Sequence, residues 1–255
     1  VTDCNNKYIW SGNEWIDSEL VSWGICADVL NQLCTDENYV YIVTSTGLII
    51  ADILTSNKVA YINIDGGFST VWANTEKLYL GTANGIKYVE KACISTDPID
   101  PHNLGVCLID YDYQYNVSNN NVKYIHGFED TLAVVTTVGI DVLRSTLYKS
   151  TFLSSGVTKC FITSKNELYY IIDGEVLGLY KINSVLCDWE TPDIKYEVSK
   201  SFLQRGTSLL TDIFVTENTS TITNNNTLFV ATSNGAYVYD EGSGVYEVYY
   251  HNTHI

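Results

Sequence analysis

One phrase recurs five times along the chain. "VYIVTSTGLIIA" (40–51), "LYLGTANGIKYV" (78–89), "LAVVTTVGIDVL" (132–143), "LYYIIDGEVLGL" (168–179) and "LFVATSNGAYVY" (228–239) each read as an apolar strand, a polar turn around a glycine and a second strand. This recurrence constrains the fold more than any bulk property. A repeated hairpin cannot bury its own apolar faces and must stack on its neighbours.

Every hairpin is flanked by two more apolar segments. Residues 29–38, 68–77, 122–131, 157–167 and 208–218 precede the five hairpins, and 58–64, 106–115, 148–154, 194–203 and 244–250 follow them. That makes four strands per unit. Four-stranded meanders of roughly 40 to 45 residues are propeller blades. The pattern predicts an all-β chain, a five-bladed β-propeller of four-stranded antiparallel blades over 29–250, with six blades if the N-terminal hairpin forms a partial one. Residues 1–28 stand outside as an N-terminal hairpin extension and 251–255 as a tail. Asn84-Gly85 and Asn234-Gly235 suit the paired positive φ angles of a type I′ turn. At Thr46-Gly47 and Val138-Gly139 a β-branched residue resists positive φ, so longer loops are expected, with only the glycine left-handed.

The phrase "LYLGTANGIKYV" resembles the W-I-G-T-x-x-G-L signature of the two-component-regulator type of propeller repeat. The resemblance covers nearly the whole chain and implies a fold. Such families serve sensing, lectin-like and scaffold roles, so it implies no particular chemistry. The segment "KYIWSGNEWIDSELVSW" (7–23) reads as a hairpin turning at Ser11-Gly12-Asn13 and resembles short segments of bacteriophage tail and virion proteins. That resemblance implies an assembly role for Tyr8, Trp10 and Trp15.

Composition narrows the partners. A net charge of -16 with only 14 Lys and Arg repels a phosphate backbone and argues against nucleic acid. It keeps the chain soluble and steers it toward basic partners. No apolar run reaches the ~18 residues of a membrane span, so no membrane insertion is expected. The start "VTDCNNKYIW" has neither the basic region nor the apolar stretch of a signal peptide. The expectation is synthesis in the cytoplasm and a virion- or particle-associated protein, with Val1 the natural start after removal of an initiator Met; the alternative is secretion, with Val1 left by cleavage of a signal. The seven cysteines, at 4, 26, 34, 93, 107, 160 and 187, are odd in number and form no C-x-x-C. They read as mostly reduced, partly buried thiols in a reducing compartment. The rival reading is a disulfide from Cys93 to Cys107, which would staple a long loop.

Within a blade, the connections between first and second strands and between third and fourth share one end. Three insertions fall there: "ACISTDPIDPHNLG" (92–105), "NSVLCDWETPD" (183–193) and "ENTSTITNNN" (217–226). Outgrown loops usually carry function, and all three prolines, Pro98, Pro101 and Pro192, lie in two of them. The candidate binding residues are therefore Asp97, Asp100, His102, Asp188 and Trp189. Asp97, Asp100 and His102 could ligate a metal, but Asp-Pro clusters more often cap turns, and no metal or cofactor is expected. Trp189 between Asp188 and Glu190 suits a sugar platform or an interface anchor. It suits equally a side chain folded over its own blade.

No G-x-S-x-G, H-E-x-x-H or P-loop occurs, and His102, His126, His251 and His254 suggest no triad. The sequence points to a non-enzymatic structural and interaction module. It would be a β-propeller subunit of a larger assembly such as a phage or virus particle, contacting other protein subunits. The alternative is a carbohydrate-binding, lectin-like propeller, to which the 20 Tyr are suited. A third is a glycoside hydrolase-like enzyme with paired carboxylates near the axis.

Overall fold

In the computed structural model the described residues are 8–10, 15–17, 30–94, 102–111, 117, 119–129, 131–144, 149–152, 156–165, 167–174, 176–183, 188–199, 209–217, 226–233, 235–240 and 245–250. Strands β1 (Tyr8–Trp10) and β2 (Trp15–Asp17) pair antiparallel with Trp10 opposite Trp15. The hairpin read from the N-terminal aromatic segment therefore forms.

Each repeat then builds one sheet. The first holds β3 (Leu30–Thr35), β4 (Tyr39–Thr44), β5 (Gly47–Asp52) and β6 (Lys58–Asn63) in chain order. The second holds β7 (Thr70–Ala73), β8 (Lys77–Thr82) and β9 (Gly85–Glu90). Next comes β10 (His102–Asn103), which pairs parallel to β6 as a fifth strand of the first sheet, and β11 (Ile109–Asp110) takes fourth place in the second.

The third sheet runs β12 (Val122–Phe128), β13 (Thr131–Thr136), β14 (Ile140–Arg144) and β15 (Lys149–Phe152). The fourth runs β16 (Val157–Ile162), β17 (Glu167–Ile172), β18 (Val176–Asn183) and β19 (Asp188–Ser199). The fifth runs β20 (Leu210–Thr216), β21 (Thr227–Thr232), β22 (Gly235–Asp240) and β23 (Val245–Tyr250). All are meanders, and none closes on itself.

The chain divides into two compact units, Val1–Ala83 with Lys87–Asp110, and Asn84–Ile86 with Tyr111–Ile255. In the first unit Tyr41, Val43, Leu48 and Ile50 of the first sheet pack against Val71, Leu78, Leu80 and Val89 of the second. In the second unit Ala133, Val135, Ile140 and Val142 meet Cys160, Ile162, Leu168 and Tyr170, while Tyr169 and Ile171 on the other face of the fourth sheet meet Ile213, Val215, Leu228 and Val230. Alternating residues of one strand thus serve two cores. Second strands are rich in apolar residues for that reason, and every residue of β13 is buried.

The turns differ from the sequence expectation. In the first and fifth hairpins Thr44 pairs with Gly47 and Thr232 with Gly235, so each glycine is already a strand residue. The two loops expected to be long are short: Thr44 pairs with Gly47, and Thr136 N–H donates to the Gly139 carbonyl at 2.8 Å. Asn84 does not take a positive φ; among the described residues only Ser56, Glu129 and Asp173 do so without being glycine. In the first and third hairpins the turn is organised by the threonine before it. The backbone N–H groups of Thr46 and Gly47 donate to Thr44 Oγ1 at 3.2 and 3.1 Å, and Val138 N–H donates to Thr136 Oγ1 at 3.3 Å. Gly47 is needed because a Cβ there would lie 1.8 Å from the Ile62 carbonyl oxygen. Paired left-handed angles do occur, in the divergent fourth repeat, at Asp173 (φ 50) and Gly174 (φ 68).

Candidate functional site

The end of the first unit that carries connections between first and second strands, and between third and fourth, is organised around Asp36. Its Oδ1 accepts the N–H groups of Asn38 and Tyr39, both at 2.8 Å, closing the turn between β3 and β4. Its Oδ2 accepts Tyr41 Oη and Lys91 Nζ, both at 2.5 Å. Lys91 begins a 3-10 turn (Lys91–Cys93) at the end of β9, and its ammonium also lies 5.6 Å from the Tyr41 ring centroid. Burial pushes the Asp36 carboxyl up, but the Lys91, Tyr41 and backbone hydrogen bonds outweigh it and hold the group at about 2. Burial, and then the same carboxylate, push Tyr41 upward. Burial likewise raises Cys34. With both oxygens accepting two bonds each, Asp36 is a clamp that ties the insertion's root to the first sheet.

The second unit has a comparable clamp at its corresponding connections. Asn226, with no exposed surface, donates Nδ2 to Glu167 Oε2 at 2.7 Å and to Tyr169 Oη at 2.8 Å. Lys165 Nζ donates to Asn226 Oδ1 at 3.3 Å. Ser164 gives its N–H to Glu217 Oε1 at 2.6 Å and its hydroxyl to Glu217 Oε2. Both ends of the 217–226 insertion are thus fastened to the turn after β16.

The opposite end of the first sheet holds an open cavity of about 750 Å³ lined by Ser45, Thr46, Asn63, Ile64, Asp65 and Gly66. It is formed by the β4–β5 turn and the connection leaving β6. Ile64 N–H donates to the Thr46 carbonyl at 3.0 Å, and Gly67 N–H to the Ile64 carbonyl at 3.0 Å, with Gly66 at φ 82. That is a type II turn, whose third residue requires a positive φ. Hydroxyls, a carboxamide and a carboxylate give this cavity a polar, hydrogen-bonding wall.

A histidine and a row of aromatics complete the inventory. Ile162 N–H donates to His126 Nδ1 at 3.2 Å, which leaves the ring's proton on Nε2. Although the side chain keeps partial exposure, packing around the ring pushes it down to about 3. Phe161 stacks on it at 3.9 Å, Phe214 meets Phe161 edge-on at 5.5 Å, and Phe229 follows at 6.3 Å. His126 serves as a neutral packing residue.

The residues picked from sequence fare unevenly. Asp97 and Asp100 lie outside the described residues, as do 251–255 and most of 1–28. His102 is in β10, with Ala60 as its strand partner. Asp188 and Trp189 are not in an inserted loop, as expected; they open β19, where Asp188 pairs with Asn183. The fourth sheet's last hairpin simply extends farther. Register shifts between Leu179 and Tyr180 and between Lys181 and Asn183 absorb the irregular stretch containing Pro192, which cannot donate to a ladder. Sequence reading missed Asp36, Lys91, Glu167 and Asn226. The available signal was polar residues at first-strand ends, where Asp36 and Asn74 each head a turn.

No protein-family model matches the chain, and no curated protein matches it. Solved structures do. The extracellular domain of the hybrid two component system BT4673 from B. thetaiotaomicron aligns with 15% identity and a TM-score of 0.55 over 89% of this chain and 28% of that one. The β-propeller domain of Myceliophteria thermophila Cps50 (Swd1) aligns with 11% identity and a TM-score of 0.55 over 86% and 72%. PorZ, an essential bacterial surface component of the type-IX secretion system of Porphyromonas gingivalis, aligns with 11% identity and a TM-score of 0.55 over 87% and 28%. This chain therefore spans little more than a quarter of the first and third of these proteins. At such identities the likeness concerns architecture, and with the sheet topology it makes the fold a β-propeller-type assembly of four-stranded antiparallel sheets.

Proposed function

We propose that the chain is a non-enzymatic interaction module, a five-bladed propeller held in a larger protein assembly through the end that bears the insertions. The observation that carries this reading is the placement of exposed apolar side chains. Among the described residues, the two most exposed large hydrophobics are Val106, 93% exposed, and Leu54, 92% exposed. Leu54 lies between β5 and β6 and Val106 in the insertion after β9, both connections between third and fourth strands. Single exposed apolar residues are ordinary, but side chains this open, one on a loop closed by Asp52–Thr55 hydrogen bonds and one on an insertion rooted by the Asp36–Lys91 pair, suit contact anchors. The finer reading, a phage or virus particle, draws support from the aromatic β1–β2 hairpin.

The test is sedimentation of the native chain in lysate from its source, beside the double variant Leu54→Asp and Val106→Asp. Native protein should travel with particles of megadalton size, and the variant should remain free while melting at the same temperature. A native chain that stays free near 28.5 kDa would overturn the proposal.

The cavity over Asn63 and Asp65 favours a second reading, a glycan- or polyol-binding propeller, because its wall offers donors and acceptors in one open depression. Silence of the free protein on a glycan array at high concentration would remove it.

A further inference from the structure

The insertion after β9 leaves the second sheet, visits the first and returns. It departs through the 3-10 turn Lys91–Cys93, closed by the Ile94 N–H on the Lys91 carbonyl at 2.9 Å. It lays β10 beside β6, then forms a second 3-10 turn, Leu104–Cys107, capped by Asn103 Oδ1 accepting from the Gly105 N–H at 2.9 Å. Leu104, 2% exposed, anchors this turn in the core shared by the two sheets. β11 then rejoins β9.

A cysteine ends each 3-10 turn. Cys93 and Cys107 are both unbridged, both half-buried, and both packed against that same core. Cys107 is the first cause, ahead of burial, that pushes the Cys93 thiol up, as a neighbouring thiol does. Cys160 is fully buried with its thiol toward the Ala133 carbonyl at 3.7 Å, and Cys34, half-buried against the same core as Cys93 and Cys107, turns its thiol to the Thr35 carbonyl at the end of β3.

We propose that Cys93 and Cys107 are a disulfide-forming pair, a modification site at which a small-molecule disulfide oxidises the two thiols and locks the insertion across both sheets. In the first step the thiolate of one cysteine attacks a sulfur of the small disulfide and expels one small thiolate. In the second, the other cysteine's thiolate attacks the protein sulfur of the mixed disulfide and expels the second. Two protein thiols and one small disulfide thus become one protein disulfide and two small thiols, the oxidant gaining the electron pair and two protons that the protein gives up. Cysteines held on one core by two short turns have little backbone to move before they reach bonding distance. The product would close a loop over 94–106 and fix the added strand β10 to the end of β9.

The experiment equilibrates the full chain with oxidised and reduced glutathione, blocks residual thiols with iodoacetamide, and maps peptides without reduction. Asp-N is the protease of choice, because no Lys or Arg lies between Lys91 and Lys123 and trypsin would leave both cysteines in one peptide. The expected result is a linked pair of peptides, one ending at Thr96 and one running from Asp100 to Ile109. A thermal midpoint roughly 5 °C above that of the reduced protein should accompany it. Cys93→Ser and Cys107→Ser should each lose the linked pair and the oxidative shift while melting like reduced native protein. Full alkylation of both cysteines after exposure to oxidised glutathione, an accumulated glutathione adduct, or linkage of either to another cysteine would each overturn the proposal.

Discussion

Asp36 shows how one side chain can be fixed by its surroundings rather than by its type. A carboxylate accepting from two backbone N–H groups, a phenol and an ammonium is stabilised as the anion beyond what its partial burial costs. Its folded value of about 2 lies below the ordinary 3.8, so the clamp contributes stability that is complete above the unfolded value and is lost as pH falls toward 2. The contribution is on the order of 1 kcal/mol once solvent screening at a partly exposed site is allowed for. Thermal midpoints of native protein and Asp36→Asn should therefore differ at pH 6 and converge between pH 4 and 2. Parallel curves across that range would deny the carboxylate this role. The sequence displayed an aspartate before a turn; nothing in it displayed Lys91, distant along the chain, as the partner.

At the scale of elements, polar residues where first strands pass into second strands hold the insertions. Asn226 is the sharpest case, because replacing it leaves Glu167 and Tyr169 in a buried site without their shared donor. Asn226→Ala should cost about 2–3 kcal/mol, read from urea unfolding, whereas an exposed surface substitution would cost little. A loss below about 0.5 kcal/mol would mean the 217–226 insertion is fastened elsewhere. The hairpins were legible from sequence because strand alternation and glycine spacing are local. Their turn type was not, because Asn-Gly favours a type I′ turn only when both residues occupy the turn itself. In the fifth hairpin the turn lies one residue earlier, with Thr232 paired to Gly235; in the first, the Thr44 hydroxyl accepts from the turn and Gly47 lets strand β5 approach the carbonyl of Ile62. First strands also share a feature no pattern announced. Their registers shift at the same place in four of the five sheets, at Leu30/Gln32, Val122/Tyr124, Val157/Lys159 and Leu210/Asp212.

At the scale of the whole molecule, the net charge of -16 sets the chain against itself. The described ion pairs are Lys77–Glu90 at 3.5 Å, Lys87–Asp110, Lys91–Asp36 at 2.5 Å and Lys159–Asp212 at 3.9 Å, and most carry substantial exposure. Pairs of that kind contribute roughly 0–1 kcal/mol each, less than distributed repulsion among so many uncompensated carboxylates. Raising sodium chloride from about 10 to 200 mM should therefore raise the thermal midpoint by a few degrees as screening shortens the reach of that repulsion. A falling midpoint would show that the pairs dominate.

Period and composition, which are local and additive, determined that each of the five repeats contributes four antiparallel strands to one sheet and where the hairpins lie. Tertiary structure decided which polar residues meet. It brought Asp36 to Lys91 and Glu167 to Asn226, set Cys93 and Cys107 on one core, fastened an insertion as a fifth strand on β6, and turned the expected loop around Trp189 into the start of β19. The physical reason is that a strand pattern is written in neighbours two residues apart, whereas a clamp is written in residues that only a folded chain brings within 3 Å.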